Sequence, residues 1–385
     1  MAVYLDHAAT TPLLPEAREA LIGALGLVGN SSSIHSAGQN AKRMLEEARE
    51  ALAASLGCDP IEVIFTSGGT ESVNLAIKGL FWARSAAGAG RRILVPRGEH
   101  HATIDTVEWL ERFEGAVLEW LPTDELGRVS LEALDTALAM HDDIALVTTL
   151  IASNEVGTIQ PIEEMVRLAV ARGVPVHADA VAAYRHVAID FASSGLTALS
   201  VSAHKIGGPL GIGALVVSRA AAIEPLIHGG GQQRKVRSGT QDVPAAVAFG
   251  VAAHHPTASL IELRDQLIAG VQAAVPSAIL RGDPRVRLDN NAHFTFPGCE
   301  GDSLLYLLDE AGISVSTGSA CQAGIPEASH VLLAMGMSES EARGALRFTL
   351  GESSTEADVD ALLSALPNAH AGALRAGLSR RATSF

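Results

Sequence analysis

From about residue 62 onward the apolar positions fall into short unbroken runs: 63–67 (VIFTS), 91–96 (RRILVP), 144–153 (IALVTTLIAS), 174–180 (VPVHADA), 199–205 (LSVSAHK) and 213–218 (GALVVS). Runs of this length and β-branched content predict strands buried on both faces. Between them, stretches such as ESVNLAIKGLFWA and PIEEMVRLAVARG place apolar residues at helical spacing. Strands alternating with helices predict an α/β fold, a mostly parallel sheet covered by helices on both faces. In such sheets function gathers where strands run into loops at their carboxyl ends.

After about residue 254 the pattern changes to a long helix (SLIELRDQLIAGVQAAV), a strand-like AHFTF, a helix at GDSLLYLLDEAG, the strand ISVS, a small-residue loop, and ALRFTLG before a last helix. This predicts a smaller α+β domain. The residues before about 16 have no place in the major sheet and are expected to pack with the smaller part. The expected division is 16–254 for a large domain, and 1–15 with 255–385 for a small one. No fixed-period repeat or low-complexity linker separates them.

Length changes this picture little, since 385 residues suffice for two domains with a site between them. Charge narrows the partners: 28 basic against 43 acidic residues give −15, with no basic block, which argues against nucleic acid or an anionic membrane. Arg375, Arg380 and Arg381 near the end read as a frayed terminus rather than a docking segment. The start, MAVYLDHAATTP, lacks the basic and apolar stretches of an export signal, and no apolar run of about 18 residues is present. A soluble, cytoplasmic protein is expected. Cys58, Cys299 and Cys321 form no C-x-x-C pair, which argues against a disulfide framework or a zinc site, and no metal is expected. Cys58 and Cys299 read as small buried hydrophobes.

Three motifs carry chemistry. Lys205 ends SAHK, directly after an apolar run and before the glycine-rich IGGPLGIG; a desolvated lysine there has the lowered pKa of a Schiff-base nucleophile, though an ion-paired lysine at a strand edge would look the same. Asp179 closes the run VPVHADA, where a buried carboxylate needs a cation such as a pyridinium nitrogen, unless it only caps the next helix. Ser67-Gly68-Gly69-Thr70-Glu71 joins a strand to a helix, and its inward-turned amides and helix dipole suit a phosphate. Together they favour pyridoxal phosphate over the structural readings.

With these motifs the chain resembles the NifS-like cysteine desulfurases, of the class V aminotransferase group within the aspartate-aminotransferase-like fold. The resemblance runs through YLDHAATTP (4–12), NSSSIHSAG (30–38), FTSGGTES (65–72), EHHA (99–102), SNEVGTIQP (153–161), HADAV (177–181), SAHKIGGPLGIG (202–213), GGGQQRKVRSGTQDVP (229–244), STGSACQAG (316–324) and ALRFTLG (345–351). It implies that Lys205 carries pyridoxal phosphate, Asp179 pairs with its ring nitrogen, His100 stacks on the ring and Asn154 lies near the ring hydroxyl. Gly69, Thr70, Ser202 and His204 resemble phosphate ligands. Arg237 and Thr240, in RSGT, would reach the phosphate of the other subunit of a homodimer. Asn30 and Arg347 would meet the substrate, L-cysteine. Cys321, in a loop of small residues, would take its sulfur as a persulfide, leaving alanine, and pass it to an acceptor protein such as an iron–sulfur scaffold or a thiolation enzyme. His101 is expected to face away from the site.

One position departs from the family pattern, which has a glutamine three residues after the aspartate where this chain has Ala182. Asn154, a water, Tyr184 or His186 would then serve the ring oxygen. Other readings are a selenocysteine lyase, a C–S lyase without a protein persulfide, and a non-catalytic subunit of a sulfur-transfer complex; Cys321 in its loop favours the desulfurase.

Overall fold

The computed structural model describes residues 2–318 and 328–382. Its largest sheet has seven strands in the spatial order Val63–Thr66, Gly213–Val217, Ala198–Ser202, Val176–Asp179, Ile144–Leu150, Arg92–Pro96 and Val117–Leu121. Only Gly213–Val217 runs antiparallel to its neighbours; the remaining pairs are parallel. The fold is therefore the expected α/β architecture with a mostly parallel sheet. Six of these strands follow the apolar runs of the sequence, whereas the edge strand Val117–Leu121 has no such run.

Successive side chains along each strand point to opposite faces, and the buried residues sort accordingly. Val63, Phe65, Val176, Ala178, Leu199 and Val201 pack on one face with the helices Ser36–Leu56 and Val243–His254. Ile64, Ala198, Leu215 and Val217 face the other way, onto Leu75, Ala76 and Leu80 of the helix Gly69–Ala86. Both faces are covered, as a parallel sheet requires. One polar side chain crosses this interior: His177, fully buried, bonds Thr148 Oγ1 through Nδ1 and Ser200 Oγ through Nε2, each at 2.9 Å.

A second core surrounds a three-stranded antiparallel sheet, Ile279–Arg281, Asn291–Thr295 and Ala345–Thr349. Phe294, Phe296 and Phe348 fill it, with the helices Ile261–Ala274, Gly301–Glu310 and Glu356–Ala382 around them. Val3–Tyr4 pairs in parallel with Ile313–Ser314 beside this core. The last helix corrects the expectation of a frayed terminus, because its backbone stays helical through Ala382, past Arg375, Arg380 and Arg381. Its apolar residues Val359, Leu362, Leu366 and Ala373 are buried against the second core, which gives the segment a reason to stay ordered. No helix among the described residues is long and apolar enough to cross a membrane.

Trp82 and Trp120 pack on the core of the seven-stranded sheet and Trp109 on its neighbouring helix, so none reports on the second core. Phe294→Ala should cost about 3–5 kcal/mol in that second core. In a denaturant titration the far-ultraviolet circular dichroism of the variant should begin to fall well before wild type, while the tryptophan fluorescence transition stays near its wild-type midpoint.

Candidate functional site

Five parallel strands end on one edge of the large sheet, and the residues that follow them line a single cavity of about 210 Å³. Val63–Thr66 leads to Gly69 and Thr70, Arg92–Pro96 to His100, Ile144–Leu150 to Asn154, Val176–Asp179 to Asp179 itself, and Ala198–Ser202 to Ser202, His204 and Lys205. The site is thus assembled by the sheet, as the sequence motifs implied.

Lys205 sits on the short turn Ala203–Lys205, which closes because Ile206 and Gly208 both donate to the Ala203 carbonyl. Its Nζ donates to the carbonyls of Ala8 and, at 3.0 Å, Ala9, and no carboxylate pairs with it among the described residues. Burial lowers its pKa to about 8, the positive charge of Arg347 adds to that, and Asp6 and Asp179 oppose it. Such an amine is a usable nucleophile near neutrality.

Asp179 is 4% exposed and accepts one hydrogen bond, from the Val181 amide at 2.8 Å. Burial pushes its carboxyl up to about 6, against the pull of that amide and of Lys205. A buried acid in this state gains most from a cationic partner reaching it from the cavity.

At the other end, Gly69 opens the 18-residue helix Gly69–Ala86. A Cβ on Gly69 would come within 2.7 Å of Val181 Cγ2, so the backbone can lie this close only without a side chain. Ser202 Oγ, on a residue 1% exposed, has no hydrogen-bond partner among the described residues. A helix N-terminus, an unsatisfied hydroxyl and the Thr70 and His204 side chains suit a phosphate. Pyridoxal phosphate, with a basic ring nitrogen and an anionic phosphate at opposite ends, fits this donor set.

His100 caps the helix His101–Glu114, its Nδ1 accepting the Ala102 amide at 3.0 Å, which places the ring proton on Nε2. The ring is open to the cavity, yet surrounding protein and then the Lys205 charge lower its pKa to about 4. His204 is driven to about 4 by the same two causes. His101 turns away as expected, its ring 4.8 Å from that of His330.

Arg347 lies on Ala345–Thr349, 5% exposed. Nη2 bonds Asp6 Oδ1 at 2.9 Å and Nη1 the Asn154 carbonyl at 2.8 Å, leaving Nε without a partner among the described residues. The guanidinium is fixed beside the cavity with donor capacity to spare. Within one chain Asn30, Arg237 and Thr240 do not line the cavity. Asn30 is exposed and its side chain accepts the Ser32 amide at 2.9 Å; Thr240 is exposed as well. Arg237 pairs with Glu71 at 3.0 Å. Cys321 lies outside the described residues.

Ala182 does line the cavity, but two of the donors suggested in its stead do not. The Tyr184 hydroxyl is 2.5 Å from Ser55 Oγ, and His186 is held by Asp289 at 2.7 Å and Asn290 at 3.2 Å. Both are committed elsewhere because the chain leaves the cavity after Ala182; Asn154 remains. Two contributors were not singled out from sequence. Asp6 anchors Arg347, and Glu99, 2% exposed beside His100, has its carboxyl pushed well up by burial, with the Asp179 charge adding to the effect. Both stand inside quoted motifs, YLDHAATTP and EHHA, and for Glu99 an acid next to His100 was the available signal.

A family model described as aminotransferase class-V matches residues 3–362. The chain is 53% identical over 385 residues to the IscS-like cysteine desulfurase of Mycobacterium tuberculosis, with 98% of each sequence covered. The solved structure of a NifS-like protein superposes with a TM-score of 0.87 at 34% identity, covering 96% of this chain and 99% of that one. SspA in complex with cysteine superposes with a TM-score of 0.80 at 33% identity, covering 90% of this chain and 98% of that one.

An aldehyde adds to a neutral amine. In cofactor-stripped protein, borohydride trapping of pyridoxal phosphate on the Lys205 peptide should therefore rise through pH about 8 and level off above it, whereas a lysine of ordinary pKa 10.5 continues to gain. Peptide mapping across a pH series reads this directly, and trapping chiefly on another lysine would overturn the assignment.

Proposed function

The chain belongs to the class-V aminotransferase family, and within it we propose a cysteine desulfurase, an enzyme that moves sulfur from L-cysteine onto its own Cys321 and releases L-alanine. The observation that carries this reading is one cavity lined by both a desolvated Lys205 and a buried Asp179 that makes no ion pair among the described residues. Desulfurases among its relatives, one 53% identical along nearly the whole chain, support the same activity.

Pyridoxal phosphate, when bound, supplies an electron sink for chemistry at the substrate Cα. Lys205 carries it, Asp179 keeps its ring nitrogen protonated, and Gly69, Thr70, Ser202 and His204 hold its phosphate. His100 offers a flat, neutral face to the ring, and Asn154 a polar group to its oxygen. Arg347, steadied by Asp6 and the Asn154 carbonyl, binds the substrate carboxylate. Lys205, with a pKa near 8, can take the Cα proton and return it at neutral pH. The Cys321 thiolate attacks the substrate sulfur: the S–S bond forms, the C–S bond breaks, and its electron pair is protonated at Cβ to give the methyl group of alanine. The persulfide then passes to an acceptor protein.

The finer organisation is part of the same proposal. Residues 16–254 form the cofactor-binding domain, and 1–15 with 255–385 the small domain, a division supported by the two separate cores. The active form is a homodimer in which Arg237 and Thr240 complete the partner's phosphate site and Asn30 meets substrate. Ile22, Leu25, Val28 and Ile34, exposed by 60, 65, 84 and 91% around Asn30, support a surface that a second copy covers.

With Cys321→Ser, cysteine should still change the absorbance of the bound cofactor, because that step uses Lys205 and not the thiol. Sulfide released under reductant should fall roughly a hundredfold, about 2.7 kcal/mol of barrier. Undiminished sulfide would mean a C–S lyase instead.

A further inference from the structure

We infer that Arg237 is a positioning residue for the phosphate loop of its own chain: by neutralising Glu71, it frees the start of the helix Gly69–Ala86 to receive the phosphate of pyridoxal phosphate. This rests on the proposed phosphate site at Gly69 and Thr70, and it gives Arg237 a role there that needs no second subunit.

Glu71 directly follows Thr70 in the first turn of that helix. Its side chain folds back over the loop, where Oε2 accepts the Ser67 amide at 2.6 Å, so one carboxylate closes the stretch 67–71 around both of its glycines. A carboxylate here stabilises the helix start by itself, since it answers a backbone amide and the positive end of the helix dipole. A phosphate needs the same dipole and the neighbouring amides. Two anions at one helix terminus repel, and with only 13% of the Glu71 side chain exposed, water screens that repulsion little.

Arg237 meets this carboxylate with its fork: Nε donates to Oε1 at 3.0 Å and Nη2 to Oε2 at 3.4 Å. Burial works to raise the Glu71 carboxyl pKa, but the hydrogen bonds from Arg237 and Ser67, with the Arg237 charge, outweigh it and hold the group below its ordinary value. Glu71 is therefore ionised at neutral pH and its charge is cancelled where it stands. A guanidinium that grips a phosphate through two parallel bonds uses an edge of the same fork, and the Nε edge of Arg237 is already taken.

The place of Arg237 is fixed from the strand that feeds the loop. Gln233, 3% exposed, lays its side-chain amide along Phe65 of Val63–Thr66: the Phe65 amide donates to Oε1 at 2.9 Å, and Nε2 donates to the Phe65 carbonyl at 2.6 Å. Arg49 Nη1 donates to the same Oε1 at 3.0 Å. The backbones of Gln233 and Arg237 bond each other at 3.1 and 3.2 Å across a tight turn, in which Arg234 and Lys235 take positive φ of 51° and 61°. Non-glycine residues adopt this region at a cost, which the anchored Gln233 and the buried Val236, in one cluster with Leu75 and Leu80 of the helix, offset. Strand, loop, ion pair and turn thus close a ring from Phe65 through Glu71 and Arg237 back to Gln233.

The test titrates full-length protein freed of cofactor, as wild type, Arg237→Ala, Glu71→Gln and the double variant, with pyridoxal phosphate and separately with pyridoxal, which lacks the phosphate. Absorbance reads the bound aldehyde. Arg237→Ala should bind pyridoxal phosphate roughly tenfold to thirtyfold more weakly, because the remaining carboxylate faces the phosphate uncompensated, yet bind pyridoxal within about twofold of wild type. Glu71→Gln keeps an oxygen for the Ser67 amide and should bind pyridoxal phosphate at least as tightly as wild type. The double variant, with neither charge, should return to within about threefold of wild type. A double variant as weak as Arg237→Ala would mean that Arg237 acts on a phosphate directly, and would overturn the inference. So would an Arg237→Ala that binds pyridoxal phosphate as tightly as wild type, or one that loses pyridoxal in step with it. Arg237→Gln takes the place of Arg237→Ala in the same comparison if the latter does not fold. A wild type with no preference for pyridoxal phosphate over pyridoxal overturns the phosphate site itself, and the inference with it.

Discussion

The amino group of Lys205 is gripped by two backbone carbonyls, those of Ala8 and Ala9, and the rest of the site is arranged around that grip. The same short segment continues to Thr11, whose hydroxyl donates to the His204 carbonyl at 2.9 Å and accepts the Gly207 amide at 2.7 Å. In the other direction it passes through Asp6, which fixes Arg347, to Val3–Tyr4, which pairs beside the second core. A few residues thus set the positions of the reactive amine and of the carboxylate-binding guanidinium together. Without this segment the second core would lose the fully buried Leu5, and the functional groups would lose their common reference.

Electrostatics at the cavity follow one rule with different outcomes. Burial penalises whichever form is charged, so Lys205 falls to about 8, Asp179 rises to about 6, and His100 and His204 fall to about 4. Neighbouring charges then adjust each value, with Arg347 acting on Lys205 and Lys205 on both histidines. The two histidines are thereby neutral at pH 7, while Lys205 and Asp179 each lie about one unit from their midpoints and so change charge readily. A ligand bringing a ring nitrogen to Asp179 and a phosphate to Gly69 supplies the charges that this environment lacks.

Most strands were legible in the sequence because each is buried on both faces and must be apolar throughout. Val117–Leu121 was not, since this edge strand is only partly buried and its apolar residues are interrupted by Glu119, paired to Arg92 at 3.3 Å. Lys205, Asp179 and Gly69 were legible for a local reason: each sits at the end of a strand, within its own motif. Asp6 with Arg347 was hidden because its meaning lies in a partner far along the chain. The suggestion of Tyr184 or His186 failed on the same account, since closeness to Ala182 in sequence does not place a side chain in the cavity. Asn30 and Thr240 stand apart from the cavity within one chain, which their places in quoted motifs did not reveal.

The contact between Asp6 and Arg347 spans 341 positions of the chain. At about 5–20 residues per second on the ribosome, roughly 17–70 s separate the synthesis of its two halves. The large sheet can close long before that, with every one of its strands already made, but Arg347 does not yet exist to hold Asp6, nor Thr349 to take the Ala8 amide. The segment that grips Lys205 is therefore made first and secured last. Such long-range closure slows folding, and it makes assembly of the site follow completion of the polypeptide, so a truncated chain can carry a well-formed sheet and still lack a working centre.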